Sequence, residues 1–353
     1  MNRAGAETML MNLYRELDKE KYQFDFLYFT NQKCDYDDEI IALGGKIYRV
    51  NNDSFFSRFK ATYRFFKTNK QFYAVHSHTL LNNGTNLLAA FLAGYKKRVS
   101  HSHSTANLTY QNVSQIGYYY FSKFLINIFS THYIACGIEA GAYLYYKKNK
   151  PLLLPNAVDF AVFESAKPTL REELSLNKNT FLIVQIGRFL EVKNHNFTID
   201  LAKYMSDSHQ IDFHIVFVGD GPLRNSCIDK MNANNLSNYI TFVGLRSDIP
   251  SILKSSDCMI MPSLHEGFPV VLVESQVAGI PALVSNTVAN EVDLGVDLIF
   301  FESLTANFNK WQQQLVLLKN KKKKDKNYLE QLSNKGFDVK SSVSILIDFY
   351  ENV

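Results

Sequence analysis

The stretch Glu266-Gly-Phe-Pro-Val-Val-Leu-Val-Glu274 sets two carboxylates eight positions apart around a turn and an apolar run. The run continues as SQVAGIPALVS (275–285), so the order reads loop, helix start, buried helix, glycine stop, strand. Pro269 suits a first helical turn, where its missing N–H has no partner to lose. Gly279 and Pro281 close the helix before the apolar ALVS. Glu266 then lies in the loop at the helix N-terminus, and Glu274 about two turns further on. The amides of Gly267 and Phe268 face the same space, as an anion site at a helix start requires. Carboxylates that accept hydroxyl hydrogen bonds, beside amides that hold phosphate, suit a nucleotide-sugar. An N-terminal Glu favoured by the helix dipole plus a solvated helix Glu fits the spacing equally well.

Outward from this segment, β-rich runs alternate with longer amphipathic stretches, the signature of parallel doubly wound sheets. In the first half they are FDFLYF (24–29), KIYRV (46–50), FYAVHSH (72–78), KRVSHSH (97–103), HYIAC (132–136) and LLLPNAV (152–158). FLIVQIG (181–187), FHIVFVG (213–219), YITFVG (239–244), CMIMPS (258–263) and PALVS (281–285) repeat the rhythm. The polar, proline-bearing DFAVFESAKPTLREELSLNKNT between the halves reads as a linker. Two similar α/β halves with a cleft between them follow, split near residue 165.

The chain opens MNRAGAET and passes at once into a helical pattern (Met9, Leu10, Leu13, Leu17), with no strand ahead of the glycine loop. Either translation starts upstream of Met1 or the first domain lacks a central strand. Each buried aliphatic of such a strand contributes ~1.5–3 kcal/mol, against about 5–15 kcal/mol for a whole domain, so its loss threatens that domain.

At 353 residues, 46% apolar and 20% charged, the composition is that of a two-domain globular protein and excludes disorder. A net charge of +4 is too slight to imply nucleic acid. Cys34, Cys136, Cys227 and Cys258 are widely spaced and read as core thiols of a reducing cytosol. No apolar run is long enough to span a membrane, and YYYFSKFLINIFS (118–130) reads as a buried helix.

Gly187-Arg188-Phe189 ends one strand, with Lys193 five residues after the arginine; a glycine admits a ligand, and the two cations neutralise a diphosphate. A tight turn with two solvated cations is the plain alternative. Gly219-Asp220-Gly221-Pro222 reads as a simple turn, and Gly244-Leu245-Arg246 as a further strand-end loop. His76, His78, His101 and His103 form two H-x-H pairs at strand ends, each pair on one side of its strand. No further ligand completes a zinc pattern in sequence, so hydrogen-bonding roles at a cleft mouth are preferred. Asp35-Tyr36-Asp37 sits in an acidic loop and reads as solvated surface. The absence of phosphate-loop and dinucleotide glycine patterns disfavours ATPase and nicotinamide chemistry. Phe55, Phe56, Phe59, Tyr63 and Phe66 share one helical face ringed by Arg58, Lys60, Arg64 and Lys67. A packed helix with a basic outer face is the simpler reading, and a membrane-surface helix the sharper one. KNKKKKDK (319–326) reads as a solvated turn, and SSVSILIDFYENV as a packed terminal helix.

Taken in order, these motifs resemble the retaining glycosyltransferases of family 4, with the GT-B fold, of the kind found in bacterial exopolysaccharide and capsule clusters. RAGAETMLMNLYREL is similar to the family's first loop and helix, with Ala4-Gly5 where the family has Gly-Gly. RVSHSHS is similar to its acceptor-side histidine loop, and CGIEAG and LPNAVD to its interdomain approach. IGRFLEVKNH, VGDGP, FVGLRSDIP and EGFPVVLVE follow its donor-binding half. The resemblance covers nearly the whole chain and implies an acceptor-side Rossmann-like domain over 1–165 and a nucleotide-sugar domain over 166–340. Residues 341–353 would be a helix returning toward the interdomain region. It assigns Arg188 and Lys193 to the donor diphosphate, Glu266 to the transferred sugar and Glu274 to the ribose. Gly187, Gly267, Phe268 and Arg246 also fall to the donor, and Gly5 to its phosphates. His103 would touch the donor sugar, with His101 as understudy, and His78 and His101 lie on the acceptor side. The implied enzyme is a retaining hexosyl- or N-acetylhexosaminyltransferase that needs no metal or cofactor. It would move a sugar from a UDP-sugar to a lipid-linked saccharide, in the cytoplasm or at the inner membrane surface. A catalytically impaired GT-B partner subunit and a sugar-nucleotide epimerase are the rivals.

Overall fold

The computed structural model describes residues 1, 5–50, 54–103, 112–319, 321 and 327–352. KNKKKKDK therefore lies mostly outside the described residues, as do Ala4 and Ser104 of the motifs above. The chain divides into two compact units, one of Met1–Val158 with Gly336–Val353 and the other of Asp159–Lys335. The first crossing thus comes at 158, not 165, and the return at 336, not 341.

The first unit carries β1 (Phe26–Tyr28), β2 (Ile47–Arg49), β3 (Val75–Ser77), β4 (Arg98–Ser102), β5 (His132–Ala135) and β6 (Leu152–Leu153). All pair in parallel, but in two sheets, β1-β2 and β3-β4-β5-β6. Among the described residues, no strand precedes the helix Gly5–Glu16 and none joins β1 to β3. Helices knit the two sheets into one core. Met9, Met11, Leu13 and Tyr14 of the first helix pack with Phe26 and Tyr28 of β1, Val99 of β4 and Ile134 of β5. Val339, Val343 and Leu346 of the last helix, Val339–Glu351, complete that cluster, so this helix belongs to the first unit.

Two expectations for this unit fail, on the acidic loop and on the helix expected to be buried, while the helix Phe55–Thr68 packs through one face as the simpler reading has it. Asp37 and Tyr36 of the acidic loop are buried. The Asp37 carboxylate accepts from the Cys34 amide and pairs with Arg49 of β2. Burial alone would raise its pKa, yet the Cys34 amide, Tyr28 and Arg49 together hold it below the usual carboxylate value. The helix Val113–Phe129 is not a buried helix; Val113, Ile116, Tyr120, Phe121, Phe124 and Ile128 are exposed along one side of it. On the helix Phe55–Thr68, Phe66 is buried, Phe59 and Tyr63 pack against its cluster, and Phe55 and Phe56 project into solvent.

The second unit is one six-stranded parallel sheet of β7 (Phe181–Ile186), β8 (Phe213–Val218), β9 (Ile240–Gly244), β10 (Cys258–Met261), β11 (Ala282–Ser285) and β12 (Ile299–Glu302). Its order is β12-β11-β10-β7-β8-β9. The sequence reading missed β12, where LIFFE breaks the pattern of strand before glycine. Phe181, Ile183, Phe213, Ile215 and Phe217 face one helical layer, with Ile199, Met205, Trp311 and Leu315. Leu182, Val184, Val216 and Val218 are also buried, so both faces of the sheet are covered.

The strand ends on the β7-β8-β9 side are stitched together. The Gly187 amide donates to Val218 O, Phe189 N to Asp220 O, Leu223 N to Phe189 O, and Gly219 N to Gly244 O. Gly219 (φ +138) and Gly221 (φ +157) adopt backbone that side chains rarely take. A Cβ at Gly219 would overlap the Gly187 carbonyl oxygen, and one at Gly221 would lie 2.6 Å from Phe189 O. GDGP is therefore more than a simple turn: its glycines let the β8 loop press against the β7 loop. Gly219→Ala is expected to destabilise by about 3 kcal/mol, from overpacking and backbone strain together. Gly244 (φ +70) has open space around it, and Gly244→Ala should cost only ~1 kcal/mol. Urea unfolding of both variants checks this, and equal effects would refute the close-approach argument.

Candidate functional site

In the second unit the strand order reverses between β10 and β7, because β8 and β9 continue on one side and β11 and β12 on the other. Ligands of open parallel sheets bind beyond the carboxyl ends of the strands at such a reversal. The loop after β7 (Gly187–Asn194) and the loop after β10 (Pro262–Pro269) meet there and are tied three times. Leu264 N donates to Val192 O at 2.8 Å. Asn194 Nδ2 donates to Pro262 O at 3.0 Å. Lys193 Nζ pairs with Glu266 Oε1 at 2.5 Å. Asn194 adopts left-handed backbone (φ 54, ψ 44), which asparagine tolerates better than most residues, and turns the loop into the helix His195–Ser208.

Lys193 is held from both sides. Buried Gln185 of β7 donates from Nε2 to Lys193 O at 2.9 Å and accepts from Thr198 Oγ1 at 2.7 Å. The lysine's aliphatic stem lies 3.5–3.7 Å from where a Gly187 Cβ would stand, so the glycine leaves it room. Arg188 is exposed on the same loop. Phe189 turns inward, fully buried, and stacks on the His195 ring with centroids 4.0 Å apart. Burial, and then Lys193, push the His195 imidazole down to about 4, so it is neutral.

Glu266 is anchored by its backbone, which accepts from Ala289 N at 3.2 Å and bridges in parallel to Val288. Gly267 and buried Phe268 follow, and the helix Val270–Val277 starts one residue later than expected, with Pro269 as its N-cap in extended backbone. Its positive end lies beside the Glu266–Phe268 segment. The helix ends at Gly279 (φ +72), whose amide bonds Gln276 O while Ile280 N bonds Ser275 O. Glu274 sits mid-helix, and burial pushes its carboxyl up to about 7.

Arg246 is committed elsewhere. Its guanidinium donates to both oxygens of Glu173, at 2.6 and 3.0 Å, and to both of Asp248, at 2.8 Å each. Hydrogen bonds to Asp248 and then Glu173 raise its pKa further. The side chain thus clamps its own loop to the segment Leu170–Glu173, a pairing across 73 positions that no local motif announces.

The first unit gathers the histidines. His76 lies on β3, His78 just beyond it, His101 on neighbouring β4 and His103 just beyond that. Ring centroids of His101 and His103 are 4.0 Å apart, of His76 and His78 4.1 Å, and of His78 and His101 5.0 Å. His78 Nδ1 and His103 Nε2 are 2.7 Å apart. Burial pushes His78 down to about 4, and burial with its neighbours' like charge pushes His76, His101 and His103 well below the usual imidazole value. All four rings are therefore neutral near pH 7. Asn83, which the sequence reading passed over, fixes the cluster's backbone. It is fully buried, donates to Ser100 Oγ and His101 O, and accepts from Thr79 N at 2.6 Å. Gly5 is the first residue of the helix Gly5–Glu16.

In the second unit the structure thus places exposed Arg188, the Lys193–Glu266 pair and the Gly267–Phe268 segment around one strand-order reversal. Arg246 is diverted to a structural clamp. Cations, a helix N-terminus and carboxylates together suit a ligand that carries both phosphate and hydroxyl groups.

Comparison with known proteins agrees with this chemistry. Residues 166–296 match the family described as glycosyl transferases group 1. The chain is 36% identical over 363 residues to the putative glycosyltransferase EpsF of Bacillus subtilis (strain 168), covering 99% of this chain and 94% of that protein. It is 38% identical over 152 residues to a UDP-Gal:alpha-D-GlcNAc-diphosphoundecaprenol alpha-1,3-galactosyltransferase of Escherichia coli, over 42% of this chain and 39% of that one. Among solved structures, Anabaena Alr3699/HepE in complex with UDP-glucose superimposes with a TM-score of 0.77 at 16% identity, covering 100% of this chain and 97% of that chain. The fold is that of the GT-B glycosyltransferases.

The raised Glu274 pKa has a consequence for stability. An ordinary glutamate titrates near 4.5, and this one near 7 in the folded state, so folding favours the protonated carboxyl. That contribution is complete below about pH 4.5 and disappears as pH rises through 7, with a slope of at most about 1.4 kcal/mol per pH unit. Glu274→Gln is expected to remove this slope, so that wild type and variant differ in pH dependence between about 4.5 and 7. Thermal melts across that window check it; parallel curves would show that the carboxyl is not held neutral.

Proposed function

We propose, for a chain that belongs to the group 1 glycosyltransferases, that it moves a hexose or N-acetylhexosamine from a UDP-sugar to a lipid-linked saccharide, with retention, in bacterial exopolysaccharide or capsule assembly. The observation that carries the reading is the Lys193–Glu266 pair at the strand-order reversal, with Arg188 exposed beside it. The UDP-galactose and diphosphoundecaprenol in the name of the Escherichia coli relative, and the UDP-glucose in the Anabaena complex, support the donor and acceptor classes.

In this reading the bond from the sugar's anomeric carbon to the diphosphate oxygen breaks, and a bond from the acceptor hydroxyl forms on the same face. The acceptor's proton passes to the departing phosphate oxygen. Negative charge grows on the UDP as the bond lengthens, so fixed cations and amides stabilise the transition state more than the ground state. Arg188 and Lys193 supply the cations, and Gly267 and Phe268 the amides, with Gly187 leaving space for the phosphates. Before the donor arrives Lys193 is neutralised by Glu266; a diphosphate draws the ammonium away and frees the carboxylate for the sugar's hydroxyls. Glu274 accepts from the ribose, and the Arg246 clamp holds its loop against the base. In the first unit Gly5 serves the donor phosphates, His103 the donor sugar, and His78 and His101 the acceptor side. No metal takes part in the transfer.

A lipid-linked acceptor calls for contact with a membrane surface. No described helix is long and apolar enough to cross a membrane. The helix Val113–Phe129 instead offers an unpartnered apolar stripe at helical spacing, in which Val113, Tyr120, Phe121, Phe124 and Ile128 are exposed. The helix Asn83–Leu92 packs against it on one side and against Phe55–Thr68 on the other. The latter exposes Phe56 with Lys60, Arg64 and Lys67. Apolar side chains beside cations fit an anionic lipid surface, the occupant proposed for this face. Phe121→Ser with Phe124→Ser is expected to lower co-sedimentation with phosphatidylglycerol vesicles at least fivefold, and neutral phosphatidylcholine vesicles should bind weakly in every case. Unchanged binding would remove the membrane from the reading.

The donor assignment is tested kinetically, with EDTA present throughout because the transfer is taken to need no metal. Arg188→Ala should weaken UDP binding by about ten- to a hundredfold, the loss of a charge-assisted contact worth ~1.5–3 kcal/mol. Glu266→Gln should lower turnover and spare UDP affinity, whereas Glu274→Gln should raise the donor KM more than it lowers kcat. Equal, slight effects in all three variants would sink the site.

A further inference from the structure

His76 enters neither the proposed transfer nor the first unit's apolar core, yet it sits among His78, His101 and His103. An ion held there would compete with the saccharides for those rings rather than take part in the transfer. We propose that His76, His78 and His101 form a binding site for a divalent transition-metal ion of the kind imidazole prefers, with zinc as the reference ion. Among the described residues this is the one group of three His, Cys, Asp or Glu side chains whose potential ligand atoms converge, all lying within 4.8 Å of one another. Two neighbouring parallel strands deliver it, with His76 on β3 in register with Val99 and His101 two residues further along β4. That is why two separate H-x-H pairs merge into one cluster.

The hydrogen bonds leave ligand capacity within the cluster. His76 Nδ1 bonds the Tyr350 hydroxyl, and its Nε2 is buried with no partner. His101 is fully buried, and neither of its ring nitrogens has a partner. His78 bonds His103 through Nδ1. Tyr350 and His103 each engage the Nδ1 of one proposed ligand, as outer-shell groups do in metal sites, which would fix the ring's tautomer. A histidine cluster built only for packing would bond its nitrogens to carbonyls or hydroxyls; His101 does neither. Burial keeps the rings neutral, the form that binds metal. In a tetrahedral site, zinc–nitrogen bonds of about 2.0–2.1 Å hold two nitrogens about 3.4 Å apart, so the rings would have to rotate inward to close on the ion. Three imidazoles leave a fourth position for water or a small anion, and neutral nitrogen donors favour zinc or nickel over magnesium or calcium.

The test uses tag-free, full-length protein dialysed against chelator and then titrated with zinc chloride in a calorimeter, with cobalt(II) absorption as a second reading. One zinc per chain is expected, with a melting temperature that climbs with zinc concentration because the ion binds the folded state. His76→Gln and His101→Gln should each weaken binding at least tenfold, while His132→Gln, on β5 outside the cluster, should not. Absence of saturable binding would overturn the site. So would zinc affinity within twofold of wild type in a natively folded His76→Gln variant, which, being only partly buried, is the substitution better suited to fold. UDP affinity is a separate measurement, so failure here leaves the donor site standing and failure there leaves the metal site standing.

Discussion

The contact on which the geometry of the second unit's strand-end loops depends is the one between Gly219 and the Gly187 carbonyl. The sheet brings the carboxyl ends of β7, β8 and β9 side by side, but pairing stops where the loops begin. Beyond that point the Val218–Gly187, Asp220–Phe189 and Gly219–Gly244 hydrogen bonds carry the order onward. They form only because nothing projects from Gly219 or Gly221 into the neighbouring loop. With that loop fixed, Phe189 drops into the core, Arg188 is turned out, and the chain reaches Lys193 in position to meet Glu266 across the strand-order reversal. The absence of a side chain in the neighbouring β8 loop thus sets the path of the loop that carries Arg188 and Lys193.

The two units solve opposite electrostatic problems. In the second, charge is abundant and must be kept from collapsing on itself. Lys193 is neutralised by Glu266, Arg246 by Glu173 and Asp248, and Arg188 alone of these cations stays exposed. In the first, four imidazoles lie within stacking distance and burial strips them of protons. One unit therefore presents fixed charge, while the other presents unprotonated nitrogen. Asn83 matters for the second arrangement because it satisfies the backbone around the rings without offering the rings themselves a partner.

Much of this was legible in the amino-acid sequence wherever a local signal had a local cause. Alternation of strand and helix, the glycine stop at Gly279 and the strand-end position of Gly187-Arg188 all arise from backbone preferences within a few residues. What escaped was set by partners far along the chain. Asp37 sits in an acidic loop and looked solvated, until Arg49 of β2 made it a buried anchor. The helix Val113–Phe129 is apolar enough to be buried, but the helix that packs on it covers only one side, at Gly84 against Ser122 and Leu125. The family resemblance places Arg246 and its loop against the donor base, and nothing near it in sequence announces its pairing with Glu173. The merging of two H-x-H pairs needed the register of β3 on β4.

The return of residues 336–353 to the first unit makes the second unit an insertion within the first. Val339, Val343 and Leu346 seal the same apolar cluster as Met9, Leu13 and Tyr14. During synthesis, then, the unit whose chain emerges first is the one that finishes last. Its core stays open at one side until the final helix has left the ribosome, by which time the inserted unit already has its full sequence. Any fusion or clipping at the carboxyl end is consequently felt at the amino-terminal core, far away along the chain, before it is felt in the inserted unit.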